Sequence, residues 1–242
     1  MKTTKNSRKQ PVIHYLHSMG IVTLVSCMLI GAYGIIKAPA SDQKELEQEL
    51  TKNEQLLQRE EATKTFSPTT APLTKVSKKQ GAKKKNVPKK TITVIGDSVF
   101  LGASPAFKKL YKNAIIDAKV SRQVCQALDI AKALNKQGKL GNTVIIALGT
   151  NGNFNSKVGQ SLIRYLGKKR TVYWVLAYGK HLDIQKAVNQ TIQRVAKTNK
   201  NVHLIPWDEE APKHSNWFYQ DGIHLNATGQ KGYAKFIKKC LS

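Results

Sequence analysis

The stretch TITVIGDSVFLGA, residues 91–103, decides the fold. Its first five residues are uncharged and rich in β-branched side chains, as is typical of a strand that is buried on both faces of a sheet. The chain then turns at Gly96-Asp97-Ser98 and passes from this strand into a loop and a helix. A buried strand that is followed directly by a helix predicts an α/β domain with parallel strands.

The same alternation of apolar runs and amphipathic stretches continues to the end of the chain. Strands are predicted over Thr91–Ile95, Ala114–Val120, Thr143–Leu148, Thr171–Ala177 and Val202–Ile205. Helical stretches are predicted over Ala106–Tyr111, Val124–Asn135, Lys157–Leu166, Ile184–Lys197 and Gly229–Lys239. We therefore expect residues 91–242 to form one three-layer α/β sandwich, with a parallel sheet of about five strands between two layers of helices.

Residues 1–40 have the pattern of a membrane anchor. Four basic residues lie among the first ten, and Met19–Ile36 is a run of 18 residues without a charge. Such a run is at the lower limit of a membrane-spanning helix, and its basic flank favours a cytoplasmic N-terminus. We expect a single-pass cell-membrane protein whose remaining residues are extracellular. A signal peptide cleaved near Ala38-Pro39-Ala40 and the last helix of a larger membrane protein are the alternatives.

Residues 41–90 are predicted to connect this anchor to the α/β domain, beginning with a helix. Residues 41–61 are rich in helix formers, and three leucines, Leu46, Leu50 and Leu57, lie near one face. The segment spans only about two heptads, which is too few for a stable coiled coil. We therefore expect a solvated juxtamembrane helix.

The remainder of this connection, residues 62–90, is predicted to be a disordered linker. It contains three prolines and, over residues 75–90, eight lysines. Such a composition cannot bury enough apolar surface to fold, and its like charges favour an extended chain. We expect the linker to act as an electrostatic tether to an anionic wall or bilayer.

The net charge of +25 restricts the classes of partner. A chain this basic favours polyanionic surroundings such as nucleic acid, anionic lipid or an anionic cell wall. The sequence has neither zinc-finger spacing nor the aromatic signature of an RNA-binding domain, so we expect no nucleic-acid partner. It also lacks metal-ligand spacing, and we expect neither a metal nor another cofactor.

The three cysteines show no spacing typical of a redox or metal site. Cys27 lies inside the apolar N-terminal run, and Cys125 and Cys240 lie in the predicted domain. We expect the latter two to be buried free thiols, with a disulfide between them as the alternative in an exported domain.

Residues able to perform acyl transfer follow several of the predicted strands. In a parallel α/β sheet, the carboxyl ends of the strands meet at one edge and form the binding site. Ser98 follows the first strand, where its hydroxyl and the N-terminus of a helix can face a substrate. His224 can accept the serine proton, and Asp221, three residues earlier, can orient the imidazole. These residues predict a nucleophile, a base and an acid.

Other polar and aromatic residues at this edge are candidates for holding the substrate. Asn151 follows the third strand, and its amide N–H groups could bind the oxyanion of a tetrahedral intermediate. Arg122 follows the second strand and could bind an anionic group of the substrate or be a solvated loop residue. Trp217, with other aromatic residues before Asp221, could form a wall that stacks on a sugar or could pack the loop.

These motifs resemble those of the SGNH/GDSL hydrolase family over about residues 91–242. Gly96-Asp97-Ser98, with Gly102 after it, resembles the family's first block; Gly149-Thr150-Asn151 resembles the third; Asp221-Gly222-Ile223-His224 resembles the last. The resemblance implies that Ser98 is the nucleophile, that Asp221 and His224 are its partners, and that Asn151 and the Ser98 N–H bind the oxyanion. Two positions depart from the pattern. Ser121 stands where the family's second block offers a glycine N–H to the oxyanion; a backbone N–H survives that change, and we expect Ser121 to hold the oxyanion in the same way. Gly152 stands where an acidic residue is usual.

A closer resemblance is to the extracellular C-terminal domain of bacterial peptidoglycan O-acetyltransferases. It is carried by IGDSVFLGA (95–103), DAKVSRQ (117–123), LGTNG (148–152) and DGIHLNATG (221–229). In that family a multi-span membrane domain delivers acetyl groups, and the SGNH domain passes them to the C6 hydroxyl of muramic acid. The resemblance implies a serine acetyltransferase acting on cell-wall glycan through an acyl-serine.

In this sequence we expect one membrane segment, without the delivering domain. A separate membrane acyltransferase as partner, a truncated relative, or action on other acyl esters would each account for that difference. Two further functions stay open: an SGNH esterase that deacetylates glycan or lipid, and a non-catalytic wall-binding module.

Overall fold

The computed structural model describes residues 40–65 and 91–242. Ala40 and residues 62–65 belong to a helix, so the predicted linker starts at least four residues later than expected. The rest of the predicted anchor and of the predicted basic linker lies outside the described residues. Within the two described ranges, none of the helices combines the length and the hydropathy that crossing a bilayer requires.

Five parallel strands form the central sheet, as the sequence predicts. They are β1 (Ile92–Gly96), β2 (Ile115–Ala118), β3 (Thr143–Ala147), β4 (Thr171–Val175) and β5 (Val202–Ile205). Their order is β2-β1-β3-β4-β5, with every neighbouring pair parallel. The order reverses between β1 and β3, and the carboxyl ends of these two strands therefore flank the crevice where ligands bind in open α/β sheets.

Seven α-helices are present in the described residues. They are α1 (Ala40–Thr65), α2 (Ser98–Leu110), α3 (Ala127–Lys136), α4 (Ser156–Leu166), α5 (Gln185–Lys197), α6 (Trp207–Glu210) and α7 (Ala227–Cys240). One apolar core joins α1, α2 and α7 to one face of the sheet, and a second joins α3, α4 and α5 to the opposite face. The predicted three-layer α/β sandwich is confirmed.

Helix α2 begins at Ser98, eight residues before the predicted helical stretch at Ala106. The Asp97 carboxylate starts the helix because its Oδ1 accepts a hydrogen bond from the backbone N–H of Val99 at 3.1 Å. Pro105 lies inside the helix. A proline is usually a signal that ends a helix, and the sequence pattern before it therefore does not predict the first turns of α2.

Helix α1 packs against the α/β domain, and the prediction of a solvated helix is wrong. Leu46 and Leu50 are buried in the same apolar core as Phe100 and Phe107 of α2. Two ion pairs secure the far end of the helix: Glu60 with Lys108 at 2.5 Å and Glu61 with Lys139 at 3.1 Å. The leucine spacing noted in the sequence is the apolar stripe that docks on α2.

Cys125 and Cys240 are both free thiols, and the prediction that they do not pair is confirmed. The prediction that both are buried is wrong for Cys125, which is exposed in the short 3₁₀ turn before α3. Cys240 is half-buried, and that burial raises the pKa of its thiol above the ordinary value.

We predict that Leu50→Ala lowers the free energy of unfolding by about 2–5 kcal/mol, the range typical of removing a packed core leucine. Leu56→Ala on the same helix is the matched control, since Leu50 is 7% exposed and Leu56 is 43% exposed. The control should change stability by about 0.5 kcal/mol or less. Urea unfolding of the full-length chain measures both values, and equal effects of the two substitutions would contradict the docking of α1.

Candidate active site

The structure brings Ser98, His224 and Asp221 together in one chain of hydrogen bonds. The Oγ atom of Ser98 lies 2.9 Å from Nε2 of His224. The Nδ1 atom of His224 lies 2.6 Å from Oδ2 of Asp221. Ser98 is contributed by the junction of β1 and α2, and the other two by the loop before α7. This is the geometry in which an imidazole can take a serine proton while a carboxylate holds its orientation.

Asp221 shapes the turn that carries His224. Its Oδ1 accepts hydrogen bonds from the backbone N–H groups of Ile223 at 2.8 Å and His224 at 2.9 Å, which leaves Oδ2 for the imidazole. Gly222 has a φ of +68°, and a Cβ there would lie 2.6 Å from Cβ of Lys180. The turn therefore requires glycine at this position.

The Asp221 carboxyl is held in its charged form. Its burial raises the pKa, but the hydrogen bond and charge of His224 and the two backbone N–H groups outweigh burial, and the net pKa lies below the ordinary value. A carboxylate in this state can stabilise the imidazolium that forms when His224 accepts a proton.

A second hydrogen-bonded chain joins the ends of β1 and β3. Oδ2 of Asp97 accepts from the Thr150 hydroxyl at 2.8 Å, and the oxygen of that hydroxyl accepts from Nδ2 of Asn151 at 3.1 Å. Nδ2 of Asn151 also donates to the carbonyl of Arg122 at 3.3 Å, in the loop after β2. The predicted oxyanion residue Asn151 thus lies at the predicted edge, held between two loops.

Asp97 and Thr150 are site residues to which the sequence analysis assigned no role. Burial raises the pKa of Asp97 above its ordinary value, although hydrogen bonds from Thr150 and Val99 act in the opposite direction. The sequence does contain a pattern that predicts the capping role of Asp97, since an aspartate directly before a helix is a typical N-cap. No local pattern predicts that Thr150 bonds to it from 53 residues away.

Ser121 occupies the turn after β2 in a left-handed conformation, with a φ of +58°. This conformation favours glycine, the residue that the SGNH pattern has at this point. The backbone N–H groups of Ser98 and Ser121 are not hydrogen-bonded to other groups in residues 40–65 and 91–242. Both remain candidate oxyanion donors.

Arg122 is not a solvated loop residue, since its side chain bonds to groups of the protein, and a contact with the substrate stays a prediction. Its side chain is 9% exposed, and its guanidinium points into the protein. Nη1 donates to the carbonyls of Gly96 at 3.2 Å and of Asp117, and Nη2 pairs with Oδ1 of Asp117 at 2.6 Å. Arg122 therefore links the carboxyl ends of β1 and β2 by hydrogen bonds and positions the turn that contains Ser121.

Trp217 packs the loop before the triad, which favours one of its two predicted roles. Its ring stacks on His214, with centroids 3.6 Å apart and planes 4° apart. A Cβ on Gly232 of α7 would lie 2.3 Å from the Trp217 ring, so the indole lies directly on that helix. The contacts of Trp217 are therefore those of loop packing, and the sugar-stacking role stays a prediction.

Within residues 40–65 and 91–242, no group of three or more His, Cys, Asp and Glu side chains could hold a metal ion. His203 instead packs its ring against Tyr173, with centroids 5.3 Å apart, and His214 pairs with Glu210 at 3.0 Å.

We predict that Asp97→Asn becomes more stable relative to the wild type as the pH rises above about 4, the ordinary range of a carboxyl group. The raised pKa means that folded Asp97 keeps a proton that the unfolded chain releases above 3.8. The contribution of Asp97 to stability therefore falls as pH rises through this window, whereas asparagine does not ionise. Its amide oxygen can still cap α2.

Urea unfolding of the full-length chain across this pH range measures the difference between the two proteins. Asp183→Asn, at an exposed position, is the matched control and should leave the pH dependence of stability unchanged. Parallel pH profiles for Asp97→Asn and the wild type would contradict the prediction.

Comparisons with known proteins agree with this geometry. The chain is 33% identical over 159 residues to the O-acetyltransferase OatA of Staphylococcus aureus, covering 65% of this chain and 26% of OatA. The solved C-terminal catalytic domain of Streptococcus pneumoniae peptidoglycan O-acetyltransferase A, which carries a methylsulfonyl adduct, is 26% identical, with a TM-score of 0.55. That match covers 62% of this chain and 91% of the domain.

A lipolytic protein of the G-D-S-L family from Veillonella parvula shares the fold at 16% identity, with a TM-score of 0.50, over 62% of this chain and 96% of its own. No model of a protein family matches the chain. The chain spans about a quarter of the length of the curated relatives it matches. Its relatives are O-acetyltransferases and its fold is shared with a GDSL-family protein, which confirms the two resemblances that the motifs carry.

Proposed function

We propose that the protein is an extracytoplasmic serine O-acyltransferase that moves acetyl groups of cell-wall glycan through an acetyl-Ser98 intermediate. The observation that carries this proposal is the continuous hydrogen-bonded chain from Ser98 through His224 to Asp221. The homology to OatA and to the solved peptidoglycan O-acetyltransferase domain supports acetyl as the group and peptidoglycan as the glycan.

The first half of the reaction forms the acyl-enzyme. Oγ of Ser98 attacks the carbonyl carbon of the acetyl donor, and Nε2 of His224 takes the serine proton as the bond forms. Asp221 stabilises the resulting imidazolium. The tetrahedral intermediate then collapses, and its leaving oxygen receives the proton from His224. This leaves acetyl-Ser98 and a neutral histidine.

The negative charge of the tetrahedral oxygen needs donors that are already in place. The N–H groups of Ser98 and Ser121 are proposed as two of them, and the N-terminus of α2 adds its dipole. Asn151 is proposed as the third. Its longer bond, 3.3 Å to the Arg122 carbonyl, would have to yield to the oxyanion, while the Thr150 contact keeps the amide in place.

The second half of the reaction decides between transfer and hydrolysis. A glycan hydroxyl loses its proton to His224 and attacks the acetyl-Ser98 carbonyl, releasing Ser98 and an O-acetylated glycan. Water in place of the hydroxyl gives acetate. Both routes use the same residues, so what separates them is how the site positions the acceptor relative to water.

The cell-wall partner of the protein is proposed from its charge. Residues 91–242 contain 23 basic and 8 acidic residues, a balance that favours an anionic cell wall. A membrane acyltransferase is proposed as the source of the acetyl groups, because the described residues hold the triad and no helix able to cross a membrane. We further propose a single-pass anchor that keeps the catalytic domain extracellular.

We predict that Ser98→Ala abolishes acetyl transfer, because the acyl-enzyme cannot form without Oγ. The test uses the full-length chain, a chromogenic acetyl ester as donor and a soluble peptidoglycan fragment as acceptor. Mass spectrometry detects acetylated glycan, and released acetate is measured in parallel. Ser161→Ala on α4 is the matched control and should retain wild-type activity.

Each outcome of this assay favours a different function. Acetylated glycan that depends on Ser98 supports the transferase. Acetate without glycan product, in amounts that do not fall when acceptor is added, replaces the proposal with an esterase. Neither product from the wild type would favour a wall-binding module.

A further inference from the structure

In addition to its leucines, helix α1 contributes a buried polar side chain to its contact with α2. The side chain of Asn53 is 4% exposed and lies against α2. Its Nδ2 donates to the backbone carbonyls of Leu101 at 3.3 Å and Gly102 at 3.2 Å. These carbonyls belong to the first turns of the helix that begins at Ser98.

The Leu101 carbonyl needs such a donor because of Pro105. In an α-helix a carbonyl accepts from the N–H four residues later, and proline has none. The Ser104 hydroxyl, at 2.8 Å, and Asn53 together replace the missing bond. Ser104 gives the Leu101 carbonyl one partner from within α2, and Asn53 gives it a second from α1, so this turn of α2 is hydrogen-bonded to the neighbouring helix.

The same helix also reaches the segment that carries His224. Oε2 of Glu49 accepts from the Tyr219 hydroxyl at 3.1 Å, and Oε1 accepts from Nε2 of Gln230 at 2.6 Å. Nε2 of Gln230 also donates to the Leu225 carbonyl at 2.9 Å, and the backbone N–H of Tyr219 donates to the His224 carbonyl at 2.9 Å. Glu49 is thus linked by two routes to the triad loop.

Tyr219 is well suited to this link. Burial and the neighbouring Glu49 carboxylate raise the pKa of its phenol well above the ordinary value. The hydroxyl therefore remains a hydrogen-bond donor throughout the physiological pH range.

We propose that Asn53 and Glu49 are positioning residues of the active site, acting through α2 and through the Tyr219–Leu225 segment. Asn53 holds the helix that carries the nucleophile, and Glu49 holds the loop that carries the base. Because both lie on α1, this helix sets the separation of Ser98 and His224. The inference rests on the proposed catalytic roles of those two residues.

The first test pairs Asn53→Leu with Pro105→Ala in the full-length chain. Asn53→Leu should lower kcat for acetyl-ester hydrolysis about 10- to 100-fold, as small displacements of reacting groups do, with KM nearly unchanged. Pro105→Ala restores a backbone N–H to the Leu101 carbonyl, so in that background the loss should be smaller. Gln55→Leu, at an exposed position of α1, is the matched control and should have no effect.

The second test pairs Glu49→Gln with Tyr219→Phe. The amide of Glu49→Gln has one acceptor oxygen and cannot accept from both Tyr219 and Gln230, whereas Tyr219→Phe removes the first of these bonds. The double variant should therefore lose less activity than the sum of the two single losses. The rate at which a sulfonyl fluoride labels Ser98 should fall in parallel with kcat, because it reports how well His224 activates the serine. Glu47→Gln, whose side-chain partner is Gln43 of the same helix, is the control.

The positioning role is overturned by an active wild type whose Asn53→Leu and Glu49→Gln variants keep kcat and the labelling rate. It is also overturned if Asn53→Leu and Pro105→Ala act additively on both kcat and thermal unfolding. A wild-type chain that neither hydrolyses the ester nor is labelled overturns the proposed function itself. The activity of the wild-type chain therefore distinguishes a failure of the positioning role from a failure of the proposed function.

Discussion

The rest of the site depends on the hydrogen bonds that the buried Asp97 carboxylate accepts. One oxygen starts α2 by capping Val99, and the other holds Thr150 in the loop after β3. Its raised pKa shows that burial disfavours the charge, and these hydrogen bonds offset part of that cost. Ser98 directly follows Asp97 in the chain. The hydrogen bonds of Asp97 to Val99 and Thr150 therefore also fix the position of Ser98 at the ends of β1 and β3.

Aromatic packing beneath the site brings the other half of the triad to Ser98. Tyr233 of α7 meets Phe100 of α2 edge to face, with centroids 6.1 Å apart, and meets Trp207 at 4.7 Å. These contacts hold α7 against α2, and the loop that carries Asp221 and His224 leads directly into α7. A hydrogen bond between residues 126 positions apart is therefore a consequence of core packing.

The sequence allowed the sheet and the triad to be predicted because both depend on strong local patterns. Apolar strands are recognisable without knowledge of their neighbours, and β5 has the predicted bounds, Val202–Ile205. The internal contacts of Arg122 could not be predicted, because a loop position does not reveal that Asp117 and Gly96 accept its hydrogen bonds. The leucine stripe of α1 likewise showed a docking face without showing what it docks on.

The docking of α1 makes the folded body larger than the α/β sandwich that the motifs predict. Leu46 and Leu50 of this helix lie in the same apolar core as Phe100 of α2. Asn53 adds hydrogen bonds to the backbone of α2, so the contact between the two helices is both apolar and polar. Without α1 the apolar face of α2 that these leucines cover would be exposed to water, which costs free energy in proportion to the area uncovered. The folded unit that carries Ser98 therefore begins before the first strand.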